Sequence, residues 1–281
     1  MFQNTVNPQL DELFENYFEH WYKGVVDPGW GKELLKKGYF DREQGNIWLS
    51  YVTDICPLKG KRVLDVGAGF GKLVIAARQK GYDTYGVEPD KVMYEGAQIR
   101  IKALGYPPDT IKNAWGESIP FADGEFDVAI FSTVLEHVQN IKPVLLETLR
   151  VLKKGGMIII INPNYALLFE PHYSMFLPVF LPKKCLHWYL KLRGRSCFIL
   201  DTLNFTTHWS FEKIFKELPI ECESHGLNLW EQRVLGGSKY PETPIASKLL
   251  GLFRKTGLSG ILRFLGRSGF YTPLIFKLRK K

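Results

Sequence analysis

Apolar and polar positions along this chain switch between two periods, and the switches mark its elements. Leu10, Leu13, Phe14, Phe18, Trp21 and Tyr22 fall near helical spacing, as do Ile47, Trp48, Tyr51, Val52 and Ile55, which run up to Pro57. Asp41 followed three residues later by Gln44 predicts a capping box at the start of that second helix. A run of buried-strand character, residues 62–66, then meets the turn Gly67-Ala68-Gly69-Phe70-Gly71, after which Leu73, Val74, Ala76 and Ala77 return at helical spacing. Gly81 stops this helix, and residues 82–87 read as a second strand that ends in Glu88. Strand, helix and strand in about thirty residues form a βαβ unit, whose parallel strands cross over right-handed. The alternation continues with a helix over 91–104, a short strand over 111–115, a buried strand over 128–132, an amphipathic helix over 141–152 and a fifth strand over 157–161. Lys153-Lys154-Gly155-Gly156 suits the negative end of that last helix.

Past Asn164 the pattern becomes irregular. Residues 166–192 are rich in Leu, Phe, Tyr, Trp and Pro but are interrupted by Glu170, Pro171, His172, Lys183 and Lys184. A capped helix is predicted over 205–217, with Thr206 or Thr207 as its N-cap, and a sixth strand over 220–225. In the tail, Leu249, Leu250, Phe253, Leu258, Ile261, Leu262 and Leu265 interleave with Lys248, Arg254, Lys255 and Arg263, broken at Gly257-Leu258-Ser259-Gly260, and residues 270–278 read as a last strand.

Composition narrows the class. At 281 residues, 45% hydrophobic and 23% charged, the chain is long enough for one substantial core and looks like an ordinary globular protein. Its net charge of +8 is local: residues 241–281 hold nine Lys or Arg and one acid, Glu242, so the other 28 basic and 28 acidic residues balance. Neutrality over the first 240 residues leaves no extended basic groove, and nucleic acid is not expected as a partner. Cys56, Cys185, Cys197 and Cys222 are scattered without a C-x-x-C pair, so no metal site and no disulfide framework is expected, and a reduced, cytoplasmic setting fits. The opening residues lack a basic leader ahead of an apolar run, and the most apolar window, 175–181, is short and contains Pro178, so neither a secretory signal nor a membrane span is expected.

The glycine turn carries the candidate chemistry. Its alternate glycines let the backbone bend sharply and approach a ligand, in front of a helix N-terminus with unpaired N–H groups. Asp65 can accept from an ammonium or from loop N–H groups, and Glu88 is placed for two ribose hydroxyls. Spacing separates the cofactor classes. The dinucleotide fingerprint places its third glycine where this chain has Lys72, one residue after Gly71, which disfavours NAD.

The pattern D-x-G-x-G-x-G, with an acidic residue closing the next strand, resembles motif I and its partner in class I S-adenosylmethionine-dependent methyltransferases. The run Ile119-Pro120-Phe121, Asp123-Gly124, Phe126-Asp127 and the strand after it resemble the type 11, UbiE-like group, as does Arg150-Val151-Leu152-Lys153-Lys154-Gly155-Gly156. This resemblance, over residues 62–164, implies an α/β fold: a Rossmann-like seven-stranded sheet flanked by helices, with a helical cap (1–60), a cofactor-binding core (61–164), an insertion after strand five together with the strand-six region (165–240), and a basic tail (241–281) whose final strand lies antiparallel beside strand five. It implies S-adenosyl-L-methionine as cofactor, held by Asp65, Gly67, Gly69, Gly71, Glu88, Gly116, Glu117 and Ser132. Where the family commonly carries an acid for the adenine, this chain has Trp115, which shifts that contact to the backbone of Gly116 and Glu117 and to the Trp115 ring.

Methyl transfer asks mainly for positioning, water exclusion and removal of an acceptor proton. His137, after Glu136 at the end of strand four, is one candidate base, although the same pair recurs in relatives with different acceptors and also reads as a cofactor-adjacent structural pair. His172, in Phe169-Glu170-Pro171-His172-Tyr173, is the second, with Glu170 and Tyr173 beside it, whereas His208 reads as a helix-start residue. Asn162-Pro163-Asn164-Tyr165 looks like the signature of amine methylation on bases but follows the wrong strand and is set aside. The expected activity is methyl transfer to an oxygen or carbon of a small-molecule or lipid-linked acceptor. The rivals are an NAD-type oxidoreductase and a peripheral membrane-binding module that uses residues 241–281 at the inner face of a membrane.

Overall fold

The computed structural model describes residues 7–26, 29–240 and 244–281, without the side chains of 30, 42–44 and 244–246. Gln44 of the expected capping box therefore lies outside the described side chains. Three helices lead in: α1 (Pro8–Trp21), α2 (Trp30–Phe40) and α3 (Arg42–Ile55). The α/β alternation follows as β1 (Arg62–Val66), α4 (Lys72–Gln79), β2 (Asp83–Val87), α5 (Lys91–Ala103), β3 (Ile111–Lys112), β4 (Phe126–Ser132), α6 (Ile141–Val151) and β5 (Leu152–Asn162). The insertion holds a small hairpin, β6 (Phe169–Glu170) and β7 (Met175–Phe176), then α7 (Lys183–Leu192) and α8 (Phe198–Thr202). The chain closes with α9 (His208–Phe215), β8 (Ile220–Ser224), α10 (Gly226–Leu235), α11 (Pro244–Lys255), α12 (Ser259–Arg267) and β9 (Leu274–Lys280).

Seven strands form one sheet in the order β3-β2-β1-β4-β5-β9-β8. The first five are parallel, and β9 enters antiparallel between β5 and β8, with Ile159 opposite Lys277 and Cys222 opposite Leu278. Strands covered on both faces have to be apolar on both, and β4 and β5 show how the core is shared. Val128, Ile130, Ile159 and Ile161 face Leu49 and Val52 of α3 and Leu73, Ala76 and Ala77 of α4. Their neighbours Ala129, Phe131, Ile158 and Ile160 face Val144, Leu145 and Leu149 of α6 and Phe211 and Phe215 of α9. Each of these larger apolar side chains contributes about 1.5–3 kcal/mol on burial.

A third apolar body sits apart from these layers. Phe14, Tyr17 and Phe18 of α1 with Tyr22 and Val25 pack against Tyr173, Leu177, Leu186, Leu190, Ile199 and Leu200 of the insertion, and Phe70 of the glycine loop is buried among them. The cap and the insertion, separate in sequence, thus share one lid-like core resting on the glycine loop. By contrast α3 belongs to the sheet's helical layers, as does α9 farther along.

Three boundaries differ from the sequence reading for identifiable reasons. The third strand stops at Lys112 because Asn113 turns its amide to the Glu88 carbonyl, 2.8 Å away. The fifth begins at Leu152, since Phe126 of β4 already pairs there. The last strand starts at Leu274, after Pro273, which has no N–H to give a ladder. Thr207, not Thr206, caps α9, in a reciprocal box with Ser210.

Candidate functional site

The carboxyl ends of β1 and β2 are bound to one another through the glycine loop. Gly67 N–H and Ala68 N–H both donate to the Val87 carbonyl, at 2.9 and 3.0 Å, and Gly69 N–H donates to Glu88 Oε2 at 2.7 Å. Gly67, at φ +78°, has a second reason to be glycine, because a Cβ there would lie 2.5 Å from Val134 Cγ2. Gly71, at φ +77°, is the left-handed N-cap of α4. Glu88 is buried, and its other oxygen accepts from Asp90 N–H at 2.9 Å. Burial pushes its carboxyl up to about 7, although the two N–H donors work against that shift. Asp65, also buried, is pushed up to about 8 by burial and by the nearby Glu88 charge, with Lys72 offsetting part of it. Two carboxyls so poised at the mouth of the glycine loop favour a ligand that brings positive charge to one and hydroxyl donors to the other.

Gly116 and Glu117 lie on the loop after β3, which Asn113 and Ala114 tie to the Glu88 carbonyl at 2.8 and 3.3 Å. Gly116 packs against α6, where an added Cβ would meet Val144 at 3.0 Å, and Glu117 is exposed. The Trp115 ring is 68% exposed, available beside that loop. Arg150 of α6 shapes the next stretch by donating to the carbonyls of Ile119 and Phe121 at 2.9 and 3.0 Å. Ser132 ends β4, and Thr133 follows at φ +56°, a conformation that costs a β-branched residue on the order of 1–3 kcal/mol and is characteristic of functional turns.

That strained turn carries Glu136 and His137, and the insertion meets them there. Asn204 N–H donates to the Glu136 carbonyl at 2.7 Å, and its side-chain amide donates to the Val138 carbonyl. His137 Nε2 and His172 Nε2 are 3.1 Å apart, and His172 Nδ1 lies 2.5 Å from Glu170 Oε1. Glu170 is fully buried and also accepts from the Tyr165 hydroxyl at 3.2 Å and from Tyr173 N–H at 2.6 Å. Burial opposes charge on His172, yet Glu170 outweighs it and raises the imidazole above its ordinary value. His137, open to solvent on one side but set in the protein wall beside His172, is lowered and stays neutral. Glu136 is buried too, its carboxyl pushed up to about 7 by burial.

Between this relay and the cap lies a cavity of about 230 Å³, lined by Leu34 and Tyr39 of α2, by Lys72, by His172 and by Arg195. Lys72 donates to the Gly38 carbonyl at 2.8 Å, fastening α2 to the start of α4, and burial lowers its ammonium to about 8. The hydroxyls of Tyr17, Tyr22 and Tyr39 gather around Tyr39 at 3.1 and 3.4 Å, and burial first of all holds all three phenols above their ordinary value.

The structure thus places Asp65, Gly67, Gly69, Gly71 and Glu88 in one cradle, Gly116, Glu117 and Ser132 on the neighbouring loop and strand end, and His137 with His172 in direct contact. Glu170 carries more than the sequence reading gave it, and Tyr17, Tyr39 and Arg195 were missed because the signal of each is only an aromatic or basic residue in an irregular stretch. His208 opens α9, as its sequence position predicts, and its Nδ1 faces the Tyr271 hydroxyl at 2.9 Å.

Residues 64–160 match the family of methyltransferase domains. An uncharacterized methyltransferase of Mycobacterium leprae is 35% identical over 117 residues, which cover 41% of this chain and 41% of that protein. One from Mycobacteroides abscessus is 31% identical over 137 residues, 49% of this chain and 53% of that protein, so the chain spans about half the length of such relatives or less. Among solved structures, the YcgJ protein of Bacillus subtilis superposes with a TM-score of 0.50 at 20% identity, over 84% of this chain and 97% of that one. Geranyl diphosphate C-methyltransferase of Streptomyces coelicolor gives 0.51 at 14% identity, over 98% and 99%. These two likenesses establish the fold. The sheet order and the glycine loop agree with the methyltransferase domain that residues 64–160 match.

Proposed function

We propose that this protein moves a methyl group from S-adenosylmethionine to an oxygen or an acidic carbon of a small or lipid-linked acceptor. The observation that carries the reading is the buried Glu88 carboxylate, held by Gly69 and Asp90 N–H groups at the edge of a glycine loop that packs too closely on Val134 to admit a Cβ at Gly67. These residues fit the cofactor: Glu88 suits the ribose hydroxyls, Asp65 the ammonium, and the 115–117 loop the adenine. When bound, the cofactor supplies an electrophilic methyl on a sulfonium. The chain's own residues do the rest. Phe70 and the shared core of cap and insertion exclude water. His137, neutral and backed by His172 and Glu170, takes a proton from the acceptor, and the raised affinity of His172 lets positive charge settle next to the Glu170 carboxylate. The cavity beside His172 is the acceptor's place. Calorimetric titration with S-adenosylhomocysteine tests the core of this reading. Binding is expected at micromolar affinity, weakened at least tenfold by Glu88→Ala; a folded wild type that does not bind overturns the proposal.

The lipid-linked choice draws support from the tail. Gly266 of α12 packs on Trp230, whose indole donates to the Leu262 carbonyl at 3.1 Å, and this turns Ile261, Phe264 and Leu265 outward beside Leu249 and Leu252 of α11, all exposed. Lys248, Arg254 and Lys255 interleave with these residues along the chain, a composition suited to an anionic bilayer surface, whereas Arg263 and Arg267 turn to Glu231. Other tail cations serve the fold: Lys280 binds the carbonyls of Leu149 and Leu152, and Lys277 pairs with Glu223. Among the described residues no helix is long and apolar enough to cross a membrane. Because β9 lies inside the sheet, deleting the tail would remove a central strand, so the test uses Ile261→Glu/Phe264→Glu. Co-sedimentation with phosphatidylglycerol vesicles should be salt-sensitive in the wild type and lost in the double variant; equal binding by both rules the surface out.

A further inference from the structure

Sequence reading looks for metal ligands among the cysteines and finds none. The fold instead brings Glu136, His137 and His172 together, 35 residues of chain separating the two histidines, with a carboxylate oxygen and two imidazole nitrogens all within 4.8 Å of one another. We propose that this cluster is a binding site for a divalent transition-metal cation of the Zn²⁺ class, held by Glu136, His137 Nε2 and His172 Nε2, with the remaining position open to water or to an acceptor oxygen.

Three features of the cluster argue for a cation. First, the spacing fits. Two imidazole nitrogens at about 2.0–2.1 Å from a tetrahedral ion lie roughly 3.3–3.4 Å apart, and the two Nε2 atoms are 3.1 Å apart before any ion enters. Second, the orientation fits. His172 directs Nδ1 at the buried Glu170, 2.5 Å away, which fixes Nδ1 as the protonated nitrogen and leaves Nε2 to face the cluster. A carboxylate behind a histidine is the usual support of a metal-bound imidazole. Third, Glu136 is 1% exposed and its Oε2 has no hydrogen-bond partner, a cost a fold does not ordinarily carry without a use. An ion between the histidines would give that carboxylate a partner. Two histidines and one carboxylate with an open position suit zinc, iron, manganese or cobalt rather than magnesium or calcium, which prefer oxygen donors. The Thr133 turn and the Asn204 clamp hold the strand-four side of the cluster, and the β6–β7 hairpin holds the other. The ion would take the two nitrogens between which the relay assigned above passes its proton, so the metal-bound chain would not use that relay, and the inference stands or falls on metal binding alone.

The test titrates the chelator-treated full chain with Zn²⁺ by calorimetry and with Co²⁺ by visible absorption, and in parallel measures S-adenosylhomocysteine affinity. One Zn²⁺ per chain is expected at micromolar affinity or tighter, with cobalt bands of a four- or five-coordinate site. His137→Ala and Glu136→Gln should each weaken binding by about 10–100-fold, and Glu170→Gln, which acts through His172, by about tenfold, without changing S-adenosylhomocysteine affinity more than about twofold. The His–carboxylate pairs His187–Asp201, His208–Glu212 and His225–Glu223 are the competing sites. Stoichiometric binding that survives His137→Ala/His172→Ala assigns the ion to one of those and overturns the proposal, as does no binding by the wild type. Loss of S-adenosylhomocysteine binding alone overturns the methyl-donor reading and leaves the metal site standing.

Discussion

Replacing Asp65 with Asn isolates the electrostatic strain built into the cradle. Asp65 is 3% exposed, and burial with the neighbouring Glu88 raises its carboxyl from an ordinary 3.8 to about 8. Between those values the folded chain keeps a proton that the unfolded chain has given up, so stability falls as pH rises, by up to 1.36 kcal/mol for each pH unit. From pH 6 to pH 8 the loss from this one group is about 2 kcal/mol, less than two full units because the folded group itself ionises near pH 8. For 281 residues, with an unfolding entropy of about 2.1 cal/mol/K per residue, that corresponds to roughly 4 °C in Tm. Thermal melts across pH 5.5–8.5 should therefore show a falling Tm in the wild type, a shallower fall in Asp65→Asn, where Glu88 and Glu136 still contribute, and a variant that melts above the wild type at pH 8. A ligand ammonium beside Asp65 would lower its pKa, so saturating S-adenosylhomocysteine should flatten the wild-type curve and leave the variant's slope nearly unchanged. Identical slopes in wild type and variant would falsify the assignment of a buried, proton-holding carboxyl to this position.

Two further outcomes follow from packing. Gly67→Ala places a methyl 2.5 Å from Val134 Cγ2 at φ +78°, so it should lower S-adenosylhomocysteine affinity more than tenfold by calorimetry, and adding Val134→Ala should restore part of it. Gly266→Ala sets a methyl 2.4 Å from Trp230 Cδ1; it should cost about 1–3 kcal/mol in urea unfolding and raise hydrogen exchange in α12 without changing cofactor affinity, and protection equal to the wild type would show that α12 is not seated through this contact.

How much of this was legible in sequence depends on whether an element's partners are periodic or merely near. The sheet was legible because both faces of β4 and β5 had to be apolar, and a continuous run such as residues 157–161 meets that demand in few other ways. The glycine loop was legible because backbone geometry restricts its residue types. The lid was not. Its core joins Phe14 and Phe18 to Leu186 and Leu190, more than 160 residues away, and no local period reports such a meeting. The same holds for the site's polar half: His137 and His172 were each visible as candidates, but their contact, Glu170 behind them and the unpartnered Glu136 oxygen belong to the fold alone. Lys72 shows the two levels joining in one residue. In sequence it was a missing glycine that argued against a dinucleotide; in the fold its stem starts α4, its ammonium holds the Gly38 carbonyl, and its charge stands near Asp65. A glycine there would satisfy the dinucleotide fingerprint but would leave α2 without that anchor and Asp65 without its nearest offsetting charge. The departure from one cofactor's pattern is thus also what ties the cap to the cradle.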